Sequence, residues 1–183
     1  TLSVICGVGF AVWMDVSEKV EKAFYPLIIA SQTIPVIALA PIFILWFSYS
    51  IWSKVVVVVL ITFFPITVNT FDGLRSTHRN FVELTETMGA SSKDIFLKIK
   101  VPSALPQFFS GLKVAVTLSV VGAAIGEWLG AQAGLGYFSR RMMTQLDAAA
   151  VFAPILLLSL LGIGCFLLVV SVEKVLLKWR RKV

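Results

Sequence analysis

The sequence predicts an all-α protein, a polytopic bundle of transmembrane helices with about five spans, the first of them incomplete. Three observations predict it. Of the 183 residues, 58% are apolar and 14% are charged, against roughly 25% charged in an ordinary soluble domain. Mean hydropathy is +0.92. The apolar residues fall in runs of about 20, the length a helix needs to cross a hydrocarbon core about 30 Å thick. Such a composition excludes a disordered chain, a collagen-like chain and an ordinary cytosolic enzyme domain. Residues 1–183 read as a single domain. The net charge of +6 suits cytoplasmic loops of a membrane protein better than nucleic-acid binding, so no nucleic acid is expected.

The elements follow in order. Thr1–Met14 is apolar and carries Gly7 and Gly9. It is too short to cross a bilayer unaided, so the expectation is that the chain starts inside a span. Asp15–Lys22 holds five charges in eight residues and reads as a short solvated loop. Pro26–Ser48 is apolar but contains Pro35 and Pro41, which predicts a kinked or broken helix ending near Tyr49–Ser50. Lys54–Phe71 is the next span. Its run Val55–Ile61 suits a buried strand by propensity, but the neighbouring apolar segments argue for a helix. Asp72–Lys100 is polar, with ten of its 29 residues charged or His, and Pro102 and Pro106 punctuate its end. Gln107–Leu129 is apolar, with small residues from Gly111 to Gly126 that permit close helix approach. Ala131–Ala150 reads as a loop, Val151–Val172 as the last span, and Glu173–Val183 as a basic tail. Cys6 and Cys165 lie in apolar stretches and form neither a disulfide framework nor a metal-ligand spacing.

Orientation follows from Lys and Arg. When spans alternate, one side receives the basic residues of 15–22, 72–100 and 173–183, twelve in all. The other receives Lys54, Arg140 and Arg141. The polar segment and the C-terminus are therefore expected in the cytoplasm.

Within the polar segment, Phe81, Leu84 and Met88 share one helical face, with Glu83 and Glu86 lying off it. Gly89 breaks that helix at a position where positive φ costs little. Ser91 followed by Asp94 reads as an N-cap with an acidic first turn. Ile95, Phe96 and Ile99 give a second short helix its apolar faces, and Pro102 is expected to terminate it. On these features alone the segment is equally an amphipathic loop lying on the membrane surface. No phosphate-binding loop occurs, so this chain is not expected to cradle a nucleotide.

The spacing Glu83, Gly89, Ile99 and Pro102 resembles the cytoplasmic signature Glu-Ala-Ala-x₃-Gly-x₉-Ile-x-Leu-Pro. That signature marks the membrane (permease) subunits of binding-protein-dependent ABC importers. Agreement at four positions arises by chance in a chain of this length on the order of 0.2% of the time. Leu84, Thr85 and Val101 depart from it, so the packing of the first short helix against its partner is expected to differ. Pro41-Ile42-Phe43-Ile44-Leu45-Trp46-Phe47, Phe63-Phe64-Pro65-Ile66 with Asn69-Thr70, and Gly89-Ala90-Ser91 are similar to the nitrate/sulfonate/taurine-type branch. Gly126–Gly130 with Ala133–Tyr137 resembles the group within it that serves thiamine pyrimidine precursors.

The resemblance implies a non-catalytic subunit of the bacterial cytoplasmic (inner) membrane, with no cofactor of its own. Its implied partners are two copies of a cytoplasmic ATP-binding subunit, a second and identical permease subunit, and an extracytoplasmic substrate-binding protein. The implied substrate is a small organic solute. A coupling loop over about 72–106 would dock on the ATPase through Glu83, Gly89, Ala90, Ser91, Ile99 and Pro102. Closure of the ATPase pair would then tilt the attached spans, a two-state change biased by nucleotide.

The remaining polar residues carry two readings each. Ser31, Gln32 and Thr33, and likewise Asn69 and Thr70, line a translocation path or bond carbonyls freed by nearby prolines. Glu127, an acid within an apolar span, serves the path or a gate. Otherwise it reaches water or a loop N–H at the outer end of its span. Arg140 and Arg141 face a binding protein or simply solvent, and Trp and Tyr near span ends suit an interfacial belt. The alternative class is a secondary transporter or channel without an ATPase. It would be expected to carry inverted repeats or ion-coupling charges, and neither is seen in the sequence.

Overall fold

The structure, a computed structural model, describes residues 1–178. Of the predicted basic tail Glu173–Val183, residues 173–176 continue helix α9 Ala148–Leu176, and Trp179–Val183 lies outside the described residues. The described elements are helical: α1 Leu2–Val16, α2 Glu18–Ser31, α3 Val36–Phe47, α4 Ile51–Arg75, α5 Arg79–Thr87, α6 Ser92–Ile95, α7 Val101–Gly130, α8 Leu135–Thr144 and α9 Ala148–Leu176. A π-helical turn, Phe96–Lys100, joins α6 to α7.

Helices α4 and α7 form the centre and run antiparallel. Gly111 sits so close to α4 that an added Cβ would lie 2.4 Å from the Pro65 carbonyl oxygen. Gly122 packs on Val58 and Ile61, and Gly126 on Lys54. The small residues singled out in the sequence thus let two backbones approach, which gives membrane helices their packing contacts. The Val55–Val59 run is helical despite its β-branching, because backbone groups in lipid must be satisfied within the segment.

Helix α1 lies parallel to α4. The Thr62 hydroxyl donates to Ser3 at 2.7 Å, and Gly7 meets Ile66 and Thr67. Ala11 and Met14 are buried with Ile28 and Phe71. The ends of α1 and α4 therefore sit together. Helix α9 packs on α7 and α8, and Lys113 Nζ pairs with Glu173 at 3.0 Å. Its outer face stays bare, with Leu156, Leu160 and Leu168 more than 60% exposed, a surface suited to lipid.

Among the described residues, three helices are long and apolar enough to cross a membrane: Ile51–Arg75, Ser92–Gly130 and Ala148–Leu176. Helices α2 and α3 make a fourth if counted as one span, bent by 98°. The break at residues 32–35 ends on Pro35, whose backbone is extended; its ring also disfavours the α region for the preceding Ile34. The predicted break is found at Pro35 and not at Pro41, which lies inside α3, and that helix ends at Phe47. Helix α1, at 15 residues, is shorter than a span.

Four sequence expectations are corrected. Asp15–Lys22 is not a loop: α1 runs to Val16, only Ser17 intervenes, and α2 begins at Glu18. Two of its charges, Asp15 and Glu21, turn inward and pair with Lys100 and Arg75, while Glu18, Lys19 and Lys22 stay exposed. Asn69 and Thr70 do not end a span, since α4 continues through Asp72 to Arg75. Ala131–Ala150 contains α8, with Gly134 before it at φ +123°. Pro102 does not terminate the second short helix. Ser92–Gly130 is continuous: the π turn widens the ladder just ahead of a residue that has no N–H to give, and Val101 N–H reaches back to the Phe96 carbonyl.

Candidate functional site: the polar segment and its roots

The polar segment folds as the short helix α5, a turn at Gly89, and then α6, which is the first turn of the long helix Ser92–Gly130. Gly89 takes φ +83°, as its place between two helices predicts. A Cβ there would meet nothing within 4 Å, so the backbone conformation, not crowding inside this chain, calls for glycine. The turn closes through Ala90 N–H to the Thr85 carbonyl at 3.1 Å. Ser91 caps α6, its Oγ accepting from Asp94 N–H at 3.2 Å. Asp94 lies at the polar end of that helix, outside its apolar stretch. Its carboxylate accepts from Lys98 at 2.7 Å and from the Ser91 hydroxyl at 2.5 Å.

Among the described residues, none covers the apolar face of α5. Phe81, Leu84 and Met88 are 61%, 56% and 77% exposed, while Ile95 on α6 is buried. Between the two helices lies an open groove of about 400 Å³, lined by Met88, Gly89, Ala90, Ile95 and Ile99 among others. Gly89, Ala90 and Ile99 are thus brought together, and Ser91 caps the adjoining helix. Glu83 stands on α5, and Pro102 lies at the start of α7.

The candidate path residues do not gather. Ser31 Oγ donates to the Ile28 carbonyl and Thr33 Oγ1 to that of Ala30, both at 2.7 Å, and Gln32 is exposed in the α2–α3 break. Asn69 Nδ2 donates to the Pro65 carbonyl at 2.8 Å and Thr70 to that of Ile66 at 2.6 Å, facing α7. Glu127 lies at the other end of α7, about 24 Å along the helix from Gly111. Its Oε2 accepts the Gly136 N–H at 2.7 Å; the sequence predicts a loop N–H there, but the donor belongs to the first turn of α8. It also borders a cavity of about 410 Å³ with Ser3, Lys54, Val58 and Ala123. Lys54, read in the sequence only as a topology charge, faces that cavity from α4. Nothing in a linear pattern pairs residues 54 and 127; the antiparallel packing does.

One group escaped the sequence reading. Asp15 is only 2% exposed at its side chain. Lys100 Nζ reaches both its oxygens, at 3.0 and 2.9 Å, and Arg75 Nε lies 3.9 Å away. Arg75 also pairs with Glu21 and covers the Phe71 ring at 5.4 Å. These residues are scattered over 85 positions and have no common motif. The signal available was only that Arg75 and Lys100 flank the polar segment.

Residues 3–181 match the family described as the binding-protein-dependent transport system inner membrane component. The chain is 62% identical, over 99% of its length and 72% of the relative's, to a formylaminopyrimidine transport permease protein of Halalkalibacterium halodurans. It is 38% identical to an ABC transporter permease protein of Haemophilus influenzae, over 86% of this chain and 64% of that one. It is 28% identical to an aliphatic sulfonates transport permease protein of Bacillus subtilis, over 98% and 66%. With that match across nearly all its residues, on a helical frame of apolar spans, the chain belongs to the family of binding-protein-dependent transport system inner membrane components, the non-catalytic permeases of ABC importers.

Proposed function

We propose that this chain forms half of a solute pathway across the bacterial inner membrane and couples it to ATP hydrolysis in a partner. The observation that carries the reading is the hinged helix pair α5–α6: an apolar face left open, a groove beside it, and a glycine at positive φ setting the angle between them. The short helix α5 and the capped start of the long helix Ser92–Gly130 resist bending better than coil does, and an exposed apolar face suits the groove of another protein. The partners are two cytoplasmic ATP-binding subunits, an identical second permease and an external binding protein. The polar segment and the C-terminus lie on the cytoplasmic side, and five spans result if the α2–α3 pair counts as one and α1 is part of another. The coupling residues are Glu83, Gly89, Ala90, Ser91, Ile99 and Pro102. The cavity at Lys54 and Glu127 belongs to the pathway. The substrate is a formylaminopyrimidine-like solute, by similarity to the relative named for one.

The test is uptake of labelled formylaminopyrimidine by cells carrying the permease, with pull-down of the ATPase from detergent extracts. Uptake that persists without an ATPase would make the chain a secondary transporter or channel and refute the proposal.

A further inference from the structure

Four charged side chains meet where the polar segment joins the bundle. Arg75 is the last residue of α4 and Lys100 the last of the π turn leading into α7. They are the two roots of the segment. Asp15, near the end of α1, touches both: Lys100 with two bonds at 3.0 and 2.9 Å, and Arg75 at 3.9 Å. Glu21 on α2 takes the outer side of Arg75. The charges balance, two acids against two bases.

A carboxylate 98% covered is costly unless paired, and a buried ion pair adds little net stability over an apolar substitute. What such a pair does supply is defined geometry. Here the geometry has a consequence. Helices α1 and α4 run parallel, so their ends arrive side by side, and the segment leaves and re-enters through one collar. Neither root moves without the end of α1.

We propose that Asp15 is the positioning residue of the segment: it locks the roots Arg75 and Lys100 to α1. Displacement of the α5–α6 tip then drives α1, α4 and α7 as one body. The proposal rests on the coupling function proposed above. Without the lock, the tip moves on its docked partner and carries α7 while α1 and α4 lag, so ATP is hydrolysed with little solute moved.

The experiment uses the permease assembled with its ATPase and binding protein in proteoliposomes, with labelled formylaminopyrimidine as the probe. Three quantities are read: ATPase association, ATP hydrolysis stimulated by loaded binding protein, and solute taken up per ATP. D15N should keep association within twofold of wild type and lower solute per ATP at least fivefold. K100Q should act the same way, and the double variant D15N/K100Q should be no worse than either single change. An unchanged solute-per-ATP ratio in D15N overturns the proposal. So does a loss of ATPase association that accounts for the whole defect, because the residue would then only hold the segment's shape. Should D15N fail to accumulate, K100Q is judged by the same ratio. A wild-type complex that binds no ATPase would instead sink the coupling reading beneath it.

Discussion

Replacing Gly89 by alanine, asparagine and valine separates two reasons for a glycine in the α5–α6 turn. Its φ is +83°, a region where an L-residue pays about 1–2 kcal/mol. That corresponds to a roughly 5- to 30-fold loss in the population of the native turn. Nothing in this chain lies within 4 Å of an added Cβ, so no internal clash adds to the cost and no new contact offsets it. Insertion and membrane abundance should stay near normal, since the turn lies outside the α4–α7 contact. Association with the ATPase should weaken by about the same factor for alanine and by more for valine, whose branched Cβ tolerates positive φ worst. Asparagine tolerates positive φ better than other side chains, so it should retain most association if backbone shape is all that matters. If the partner's surface presses on the missing Cβ, alanine and asparagine should fail together. The assay is ATPase pull-down from detergent extracts and formylaminopyrimidine uptake, both normalised to permease abundance. Full uptake and full association in Gly89→Val would refute the assignment of this turn as the coupling element.

Three further outcomes are expected. Single cysteines at His78 and Gln132 should differ in intact cells, position 132 reacting with an impermeant thiol reagent and 78 only after the cytoplasmic face is opened; labelling of 78 from outside would overturn the orientation. The purified permease, free of its ATPase, should neither bind nor hydrolyse ATP, because no phosphate-binding loop occurs in its sequence; nucleotide binding by calorimetry would contradict this. Gly111→Val should sharply lower membrane abundance, since its Cβ would lie 2.4 Å from the Pro65 carbonyl and wedge α4 from α7, an overpacking cost of about 1–3 kcal/mol or more. Gly164→Val, where an added Cβ meets nothing within 4 Å, is its control on abundance by immunoblot.

Local rules read well where a residue acts through its own backbone. Gly89, Ser91 and Pro35 each dictate φ, a cap or a break within a few residues, and the turn, the cap and the 98° bend are found where those residues stand. Rules based on local polarity failed. Asp15–Lys22 looked like a solvated loop because it is dense in charge, yet Asp15 is buried. Residues 131–150 looked like a loop because they are polar and hold glycines, yet α8 occupies half of them. Pro102 looked like a stop, but a π turn ahead of it lets the helix pass.

By itself the sequence determined the helical class, the apolar spans and the small-residue stripe on α7. It also determined the hinge at Gly89 and, through the spacing of Glu83, Gly89, Ile99 and Pro102, the family. These are properties of hydropathy, backbone preference and short-range spacing, all of which are written in consecutive residues. Only the tertiary structure decided which charges meet. Helix α1 lies parallel to α4 and antiparallel to α7, and that arrangement brings Asp15 to Lys100 across 85 positions and Lys54 to the cavity beside Glu127. An ion pair forms wherever packing places two ends together. Packing is settled by the summed fit of whole helix faces, which no single stretch of sequence contains.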